Sequence, residues 1–267
     1  MPANYARFLI GRQRTVAANR QLGFVLAAVA GAINAGGFLA VQQYTSHVTG
    51  MMSAIADNLV LGQPQVVVTG LVGVLAFLCG AICCAMLVNY ARRHQLASEY
   101  ALPLLLEALL ILCFGLLGAR LARIEGLLVP ATVVLLCFIM GLQNAVATKV
   151  SNAVIRTTHM TGIVTDLGIE LGKLAYWNRD PNPAFHVRAD RDRLTMLSGL
   201  LGCFLVGGIS GAMGFKYLGY VSTVPLAVLL AAMALVPVLD DWTSRHDRPG
   251  LPDRPDRPSL PVPPVGD

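Results

Sequence analysis

Charge is what this sequence has least of. Asp, Glu, Lys and Arg make up 13% of its 267 residues, about half the share of a soluble globular chain. A mean hydropathy of +0.62 argues the same way, and together they exclude an ordinary water-soluble domain. The uncharged runs from Gln21 to Ala56, Asn58 to Ala91 and Gly126 to Thr148 can each cross the ~30 Å hydrocarbon layer as a helix. A chain of 28.4 kDa with several such runs has little left over for a separate soluble domain. Its activity therefore lies in or at a membrane.

Several chemical signatures are also missing. No C-x-x-C pair occurs, and Cys79, Cys83, Cys84, Cys113, Cys137 and Cys203 all lie inside apolar stretches. They read as small packing residues rather than as disulfide or metal ligands. H-E-x-x-H, G-x-S-x-G and G-x-x-x-x-G-K-[ST] are absent, so the chain lacks the marks of a zinc protease, an α/β-hydrolase or an ATP-driven pump. No cofactor or metal is expected. The net charge of +5 would point to nucleic acid in a soluble protein. Here the cations sit between apolar spans and read as topology charges, so the expected partner is the lipid bilayer and not a nucleic acid.

What is present is a set of spans. Residues 22–41, 66–89, 101–119, 128–148, 195–214 and 219–239 are long and apolar enough to cross as helices. The stretch after Arg7, Arg12, Arg14 and Arg20 is too long, and with Asn34 too polar, for a cleaved signal peptide, and reads as a retained first helix. Residues 45–62 and 157–172 are shorter, rich in hydroxyls and carry His47, Asp57, His159, Asp166 and Glu170, which makes them poor lipid-facing spans. Six crossings with a cytoplasmic N-terminus put Arg92, Arg93, Lys149, Arg156 and the five cations from Lys173 to Arg193 inside, against Arg120, Arg123 and Lys216 outside. Eight crossings weaken that bias. The expectation is therefore an all-α polytopic bundle of about six full transmembrane helices plus two short broken or re-entrant polar helices, with both termini cytoplasmic. Residues 1–21 form a cytoplasmic arginine-rich start. Residues 240–267, where D-R-P recurs, form a proline-rich cytoplasmic tail expected to be disordered.

The chain also repeats itself. Gly31-Ala32-Ile33-Asn34-Ala35 precedes Thr45-Ser46-His47-Val48-Thr49-Gly50; Gly141-Leu142-Gln143-Asn144-Ala145 precedes Thr157-Thr158-His159-Met160-Thr161-Gly162. Downstream, Gly80-Ala81 parallels Gly211-Ala212, and Leu102-Pro103-Leu104 parallels Val224-Pro225-Leu226. The two membrane repeats cover residues 22–119 and 128–239. Three crossings per half is an odd number, so the second copy is expected upside down: a 3+3 inverted repeat with the two polar segments approaching the midplane from opposite faces. Eight crossings would instead make the halves parallel.

The repeated T-[ST]-H-[VM]-T-G motif suits a broken helix, with hydroxyls to cap orphan N–H groups and a glycine to allow close approach. The positive end of a half-helix favours a polar or anionic group. The residues expected to bind a solute are Asn34, Ser46, His47, Thr49, Gly50, Asn144, Thr158, His159, Thr161 and Gly162. Glu107, inside the third span, and Asp57 and Asp166 are the acids available for proton coupling. Close helix packing by the same Gly, Ser, Thr and Asn residues is the plainer alternative.

The duplicated G-x-x-N-A and H-x-T-G elements, and above all Arg156 to Gly162 followed by Asp166-Leu167-Gly168-Ile169-Glu170-Leu171-Gly172, resemble the YoaK-like family of bacterial integral membrane proteins, a domain of unknown function numbered twelve seventy-five. The resemblance covers about residues 20–240. It implies a multi-pass protein of the bacterial cytoplasmic membrane and carries no substrate or activity with it.

Three functions compete. A secondary transporter or channel for a small polar or anionic solute, with its site between the repeats, accounts for the duplicated polar segments. A non-catalytic membrane scaffold or accessory subunit would use them only for packing. An intramembrane enzyme would use a His and a carboxylate, but the symmetric arrangement offers no distinct acid and base roles, so the chain is not expected to be an enzyme.

Overall fold

The structure, a computed structural model, describes residues 15–96, 99–121, 128–150, 160–177 and 186–246. The expectations for the arginine-rich start and the proline-rich tail fall largely outside them. So do those for Thr158 and His159.

Every regular element among the described residues is helical, as the run lengths predict. They are α1 Val16–Val41, α2 Val48–Val60, α3 Pro64–Arg93, α4 Ala101–Leu121, α5 Leu128–Val150, α6 Met160–Ala175, α7 Arg191–Leu218 and α8 Thr223–His246, with a 3-10 turn Gly219–Ser222 before α8. Local chemistry sets several boundaries. Thr15 Oγ1 accepts from Ala18 N at 3.1 Å and caps α1. The Asp190 carboxylate accepts from Asp192 N and Arg193 N, both at 3.0 Å, and caps α7. Pro64 occupies the first turn of α3, where its missing N–H costs nothing. Gly62, at φ 69°, makes the tight turn between α2 and α3 that residues with a Cβ resist.

Five stretches are long and apolar enough to cross a membrane: Ala17–Val41, Pro64–Arg93, Ala101–Ala119, Pro130–Val150 and Arg191–Leu235. The last has 45 residues, a straight length of about 68 Å and twice the hydrocarbon thickness. Gly219, at φ 64°, breaks it into α7 and α8. α2 and α6 are not among the five, in keeping with their polar content.

Much of the described surface is apolar. α3 exposes Val68, Leu71, Leu75, Leu78 and Ile82, and α7 exposes Leu205, Val206 and Ile209. Rows of exposed aliphatic side chains on long helices are lipid-facing surface, and the protein is an integral membrane protein of the helical-bundle type. Inside, Leu22, Leu26, Ile33, Phe114, Leu136 and Met140 belong to one continuous core.

Without a hydrophobic force to drive helices together in lipid, close approach at small residues holds them. Phe24 lies against Gly199, Ala28 against Gly207, Ala32 against Gly211 and Phe215 against Gly36, so α1 and α7 run parallel. Gly73 meets Cys137 and Gly141 meets Phe77, so α3 and α5 also run parallel. α1 and α5 cross antiparallel: Gln143 Nε2 donates to Leu26 O at 3.2 Å, while Gly37 packs on Leu136. α4 and α8 are antiparallel, with Gly115 on Thr223. α2 packs on α3 and α6 on α7.

The two parallel pairs use the same contacts. A Cβ on Gly31 would strike the carbonyl of Phe204, and one on Gly141 the carbonyl of Phe77; a Cβ on Gly80 would strike the carbonyl of Phe138, and one on Gly207 that of Ala28. Gly31 corresponds to Gly141, and Ala28 to Phe138. The packing counterpart of Gly80 is therefore Gly207, one helical turn before the Gly211 that the sequence pairing chose. Phe77-Leu78-Cys79-Gly80 matches Phe204-Leu205-Val206-Gly207.

Candidate functional site

Asn34 lies past the middle of α1, and Asn144 occupies the like position on α5, the helix that crosses it. Helix geometry turns both toward the space where α2 and α6 begin. A cavity of about 660 Å³ opens there. From the first half its lining includes Asn34, Ser46, His47 and Thr49; from the second, Asn144 and Thr161. Phe77 and Phe204 also line it, and each sits near the middle of its helix.

One hydrogen bond ties the two sequence motifs of the first half together: Ser46 Oγ donates to Asn34 Oδ1 at 2.7 Å. The expected hydroxyl cap on the short helix is not what forms. His47 is the residue before α2 and makes no side-chain cap bond, because Ser46 is engaged with α1 and Thr45 is buried with its hydroxyl unpartnered. Thr49 and His47 are exposed to the cavity. Gly50 has a specific reason to be glycine, since a Cβ there would strike the imidazole of His47. The absence of a side chain at residue 50 is what lets the ring fold back over the first turn of α2.

In the second half, Asn144 O accepts from Thr148 Oγ1 at 2.7 Å, and Thr161 O accepts from Thr165 Oγ1 at 2.9 Å. Asn144 and Thr161 both line the cavity. Gly162 is half-buried in the first turn of α6. Among the described residues the cavity lining carries no Asp, Glu, Lys or Arg. Its polar groups are amides, hydroxyls and one imidazole, all of them able to form hydrogen bonds.

The match to a protein-family model covers residues 22–236, and the model is described as a protein of unknown function, DUF1275. The chain belongs to the DUF1275 family. No curated protein and no solved structure is significantly similar to it. The DUF1275 match includes every residue that lines the cavity.

The three acids singled out in this DUF1275 chain stand apart from the cavity. Glu107 is 0% exposed on α4, and both its carboxyl oxygens lack a hydrogen-bond partner. Asp57 is exposed near the end of α2. Asp166 pairs with Arg193 at 2.9 Å on the surface between α6 and α7. Close by, the buried Glu170 carboxylate accepts from Lys173 Nζ at 2.8 Å and from Asp190 N at 2.9 Å. Those two bonds hold its carboxyl below the usual glutamate range. Among the described residues no group of His, Cys, Asp and Glu is arranged to hold a metal.

Sequence reasoning missed Phe77, Phe204 and Tyr44 as cavity-lining residues. The signal for the two phenylalanines was the repeated F-L-x-G, hidden because Gly207, Gly208 and Gly211 offered several glycine alignments. Tyr44 stacks on Phe38 with ring centroids 4.5 Å apart, and nothing in the repeat marks it.

Proposed function

We propose that this DUF1275 protein is a secondary transporter or channel for a small polar or anionic solute, and that the cavity between the two halves is its solute site. The observation that carries the reading is the convergence of Asn34, Ser46, His47 and Thr49 with Asn144 and Thr161 on one cavity that two mid-helix phenylalanines also line. Packing devices would instead be sealed among aliphatic side chains.

The membrane arrangement proposed with it is six crossings, by α1, α3, α4, α5, α7 and α8, with α2 and α6 entering without spanning. The halves are inverted repeats in this reading. The antiparallel crossing of α1 with α5, the parallel α1–α7 and α3–α5 pairs, and the matching glycine contacts support it. Both termini then lie on the cytoplasmic side of a bacterial inner membrane, where the positive-inside bias puts them. Phe77 and Phe204 flank the solute from the two repeats, and alternate rocking of the halves exposes it to either side. His47, and His159 from the repeated motif, supply hydrogen bonds that a polar solute needs once it has shed water.

Proteoliposomes provide the test. Light scattering follows osmotic swelling in glycerol, urea and sodium formate, which separates neutral from anionic solutes. The double variant His47→Ala/His159→Ala is expected to lose most of the protein-dependent rate. Equal rates for wild type and variant with every solute would remove the cavity from the mechanism.

A further inference from the structure

A second, smaller cavity of about 280 Å³ lies where α6 ends and α7 begins, and Lys173, Tyr176, Arg188 and Arg191 are among its lining residues. It is separate from the solute cavity. The acids around it are largely committed. Glu170 holds Lys173 and the Asp190 N–H, Asp166 holds Arg193, and the Asp190 carboxylate caps α7. Arg188 and Arg191 have no ion pair among the described residues, and the described lining of the cavity holds three cations and no Asp or Glu, with Asp190 and Asp192 as the sequence neighbours of Arg191.

Its surroundings are those of a bilayer surface. Val164, Ile169, Leu171 and Leu174 are exposed along α6, Tyr176 and Trp177 follow at 60% and 82% exposed, and α7 turns apolar from Leu194 onward. Exposed Tyr and Trp next to aliphatic surface mark the headgroup level. A basic cavity at that level meets anionic headgroups, and arginine makes paired, charge-assisted hydrogen bonds to phosphate oxygens.

We propose that this cavity binds the phosphate headgroup of an anionic phospholipid through Arg188 and Arg191. The Glu170–Lys173 pair fixes one wall, and Tyr176 and Leu174 carry the site into the acyl region. The bound lipid fastens the α6–α7 junction to the bilayer.

The full chain, purified in neutral detergent, is titrated with dioctanoyl phosphatidylglycerol, dioctanoyl phosphatidylcholine and inorganic phosphate. Thermal melting and native mass spectrometry supply the readouts. The expected result is a raised Tm and retained lipid with phosphatidylglycerol alone. Arg188→Gln/Arg191→Gln is expected to weaken that binding about tenfold. Lys216→Gln, which removes a charge at the other end of α7, binds as wild type. If the Gln pair lowers the Tm of lipid-free protein, the single variant Arg188→Gln is scored in its place. Unchanged phosphatidylglycerol binding in the arginine variant overturns the site. A response to phosphatidylcholine or to inorganic phosphate as large as that to phosphatidylglycerol overturns its assignment to an anionic lipid.

Discussion

Ser46 donates a 2.7 Å hydrogen bond to Asn34 across 12 residues of chain, joining the G-x-x-N-A motif on α1 to the T-S-H-V-T-G segment that leads into α2. A half-buried bond of this kind stabilises by about 1 kcal/mol. Ser46→Ala and Asn34→Ala are each expected to lower the unfolding free energy by about that amount, and the double variant by less than the sum. Denaturant unfolding of the four proteins in detergent measures the coupling. Strict additivity would show that the bond contributes nothing.

Glycines on α7 divide into those that touch backbone and those that do not. A Cβ at Gly207 would strike the Ala28 carbonyl, whereas one at Gly202 meets nothing within 4 Å. Gly207→Ala should destabilise by about 1–3 kcal/mol through forced separation of α1 and α7. Gly202→Ala should be neutral or stabilise by up to about 1 kcal/mol through helix propensity. Thermal melts of the two variants in one detergent give the comparison, and equal effects would refute the close α1–α7 contact.

Glu107 is buried with neither oxygen hydrogen-bonded. The proline register pairs it with Leu229 in the other half. Replacing an unsatisfied polar group with an apolar side chain of similar volume is neutral or stabilising. Glu107→Leu is accordingly expected to melt at or above the wild-type temperature. If Glu107 couples protons to transport, the same variant loses the pH dependence of flux. A fall in stability of more than about 2 kcal/mol would mean that the carboxyl had a partner of substance.

Acid sensitivity has one clear source at the α6–α7 junction. Glu170 is held below its ordinary range by bonds from Lys173 and the Asp190 N–H. A depressed carboxyl contributes stability that is fully present above the unfolded-state value of about 4.3 and is lost as pH falls through the lower folded value. Wild-type Tm should therefore drop below about pH 4, and Glu170→Gln should flatten that part of the profile while lowering Tm near neutrality. A profile for Glu170→Gln that keeps the wild-type acid limb would place the titrating group elsewhere.

Much of the candidate site could be read from the chain. Uncharged runs located the long helices, because a bilayer demands apolar length and satisfied backbone. The repeated motifs singled out Asn34, His47, Asn144 and Thr161, and the structure gathers all four around one cavity. The hydroxyl cap expected of the repeated motif does not form on α2, where Ser46 donates to Asn34 on α1 instead. Phe77 and Phe204 were passed over because a phenylalanine in an apolar helix looks the same whether it faces lipid, a neighbour or a cavity.

The sequence alone determined that this is a helical membrane protein interrupted by two polar segments, because the cost of charge and of bare backbone in hydrocarbon is paid residue by residue and leaves a visible record. Only the tertiary structure decided which faces pack, that Gly80 answers to Gly207, and that Glu107 lies apart from the cavity. In lipid both the buried and the exposed faces of a helix are apolar, so no periodicity marks the difference. Contact is settled by where two backbones can approach at a glycine, a property of pairs of helices that neither helix states by itself.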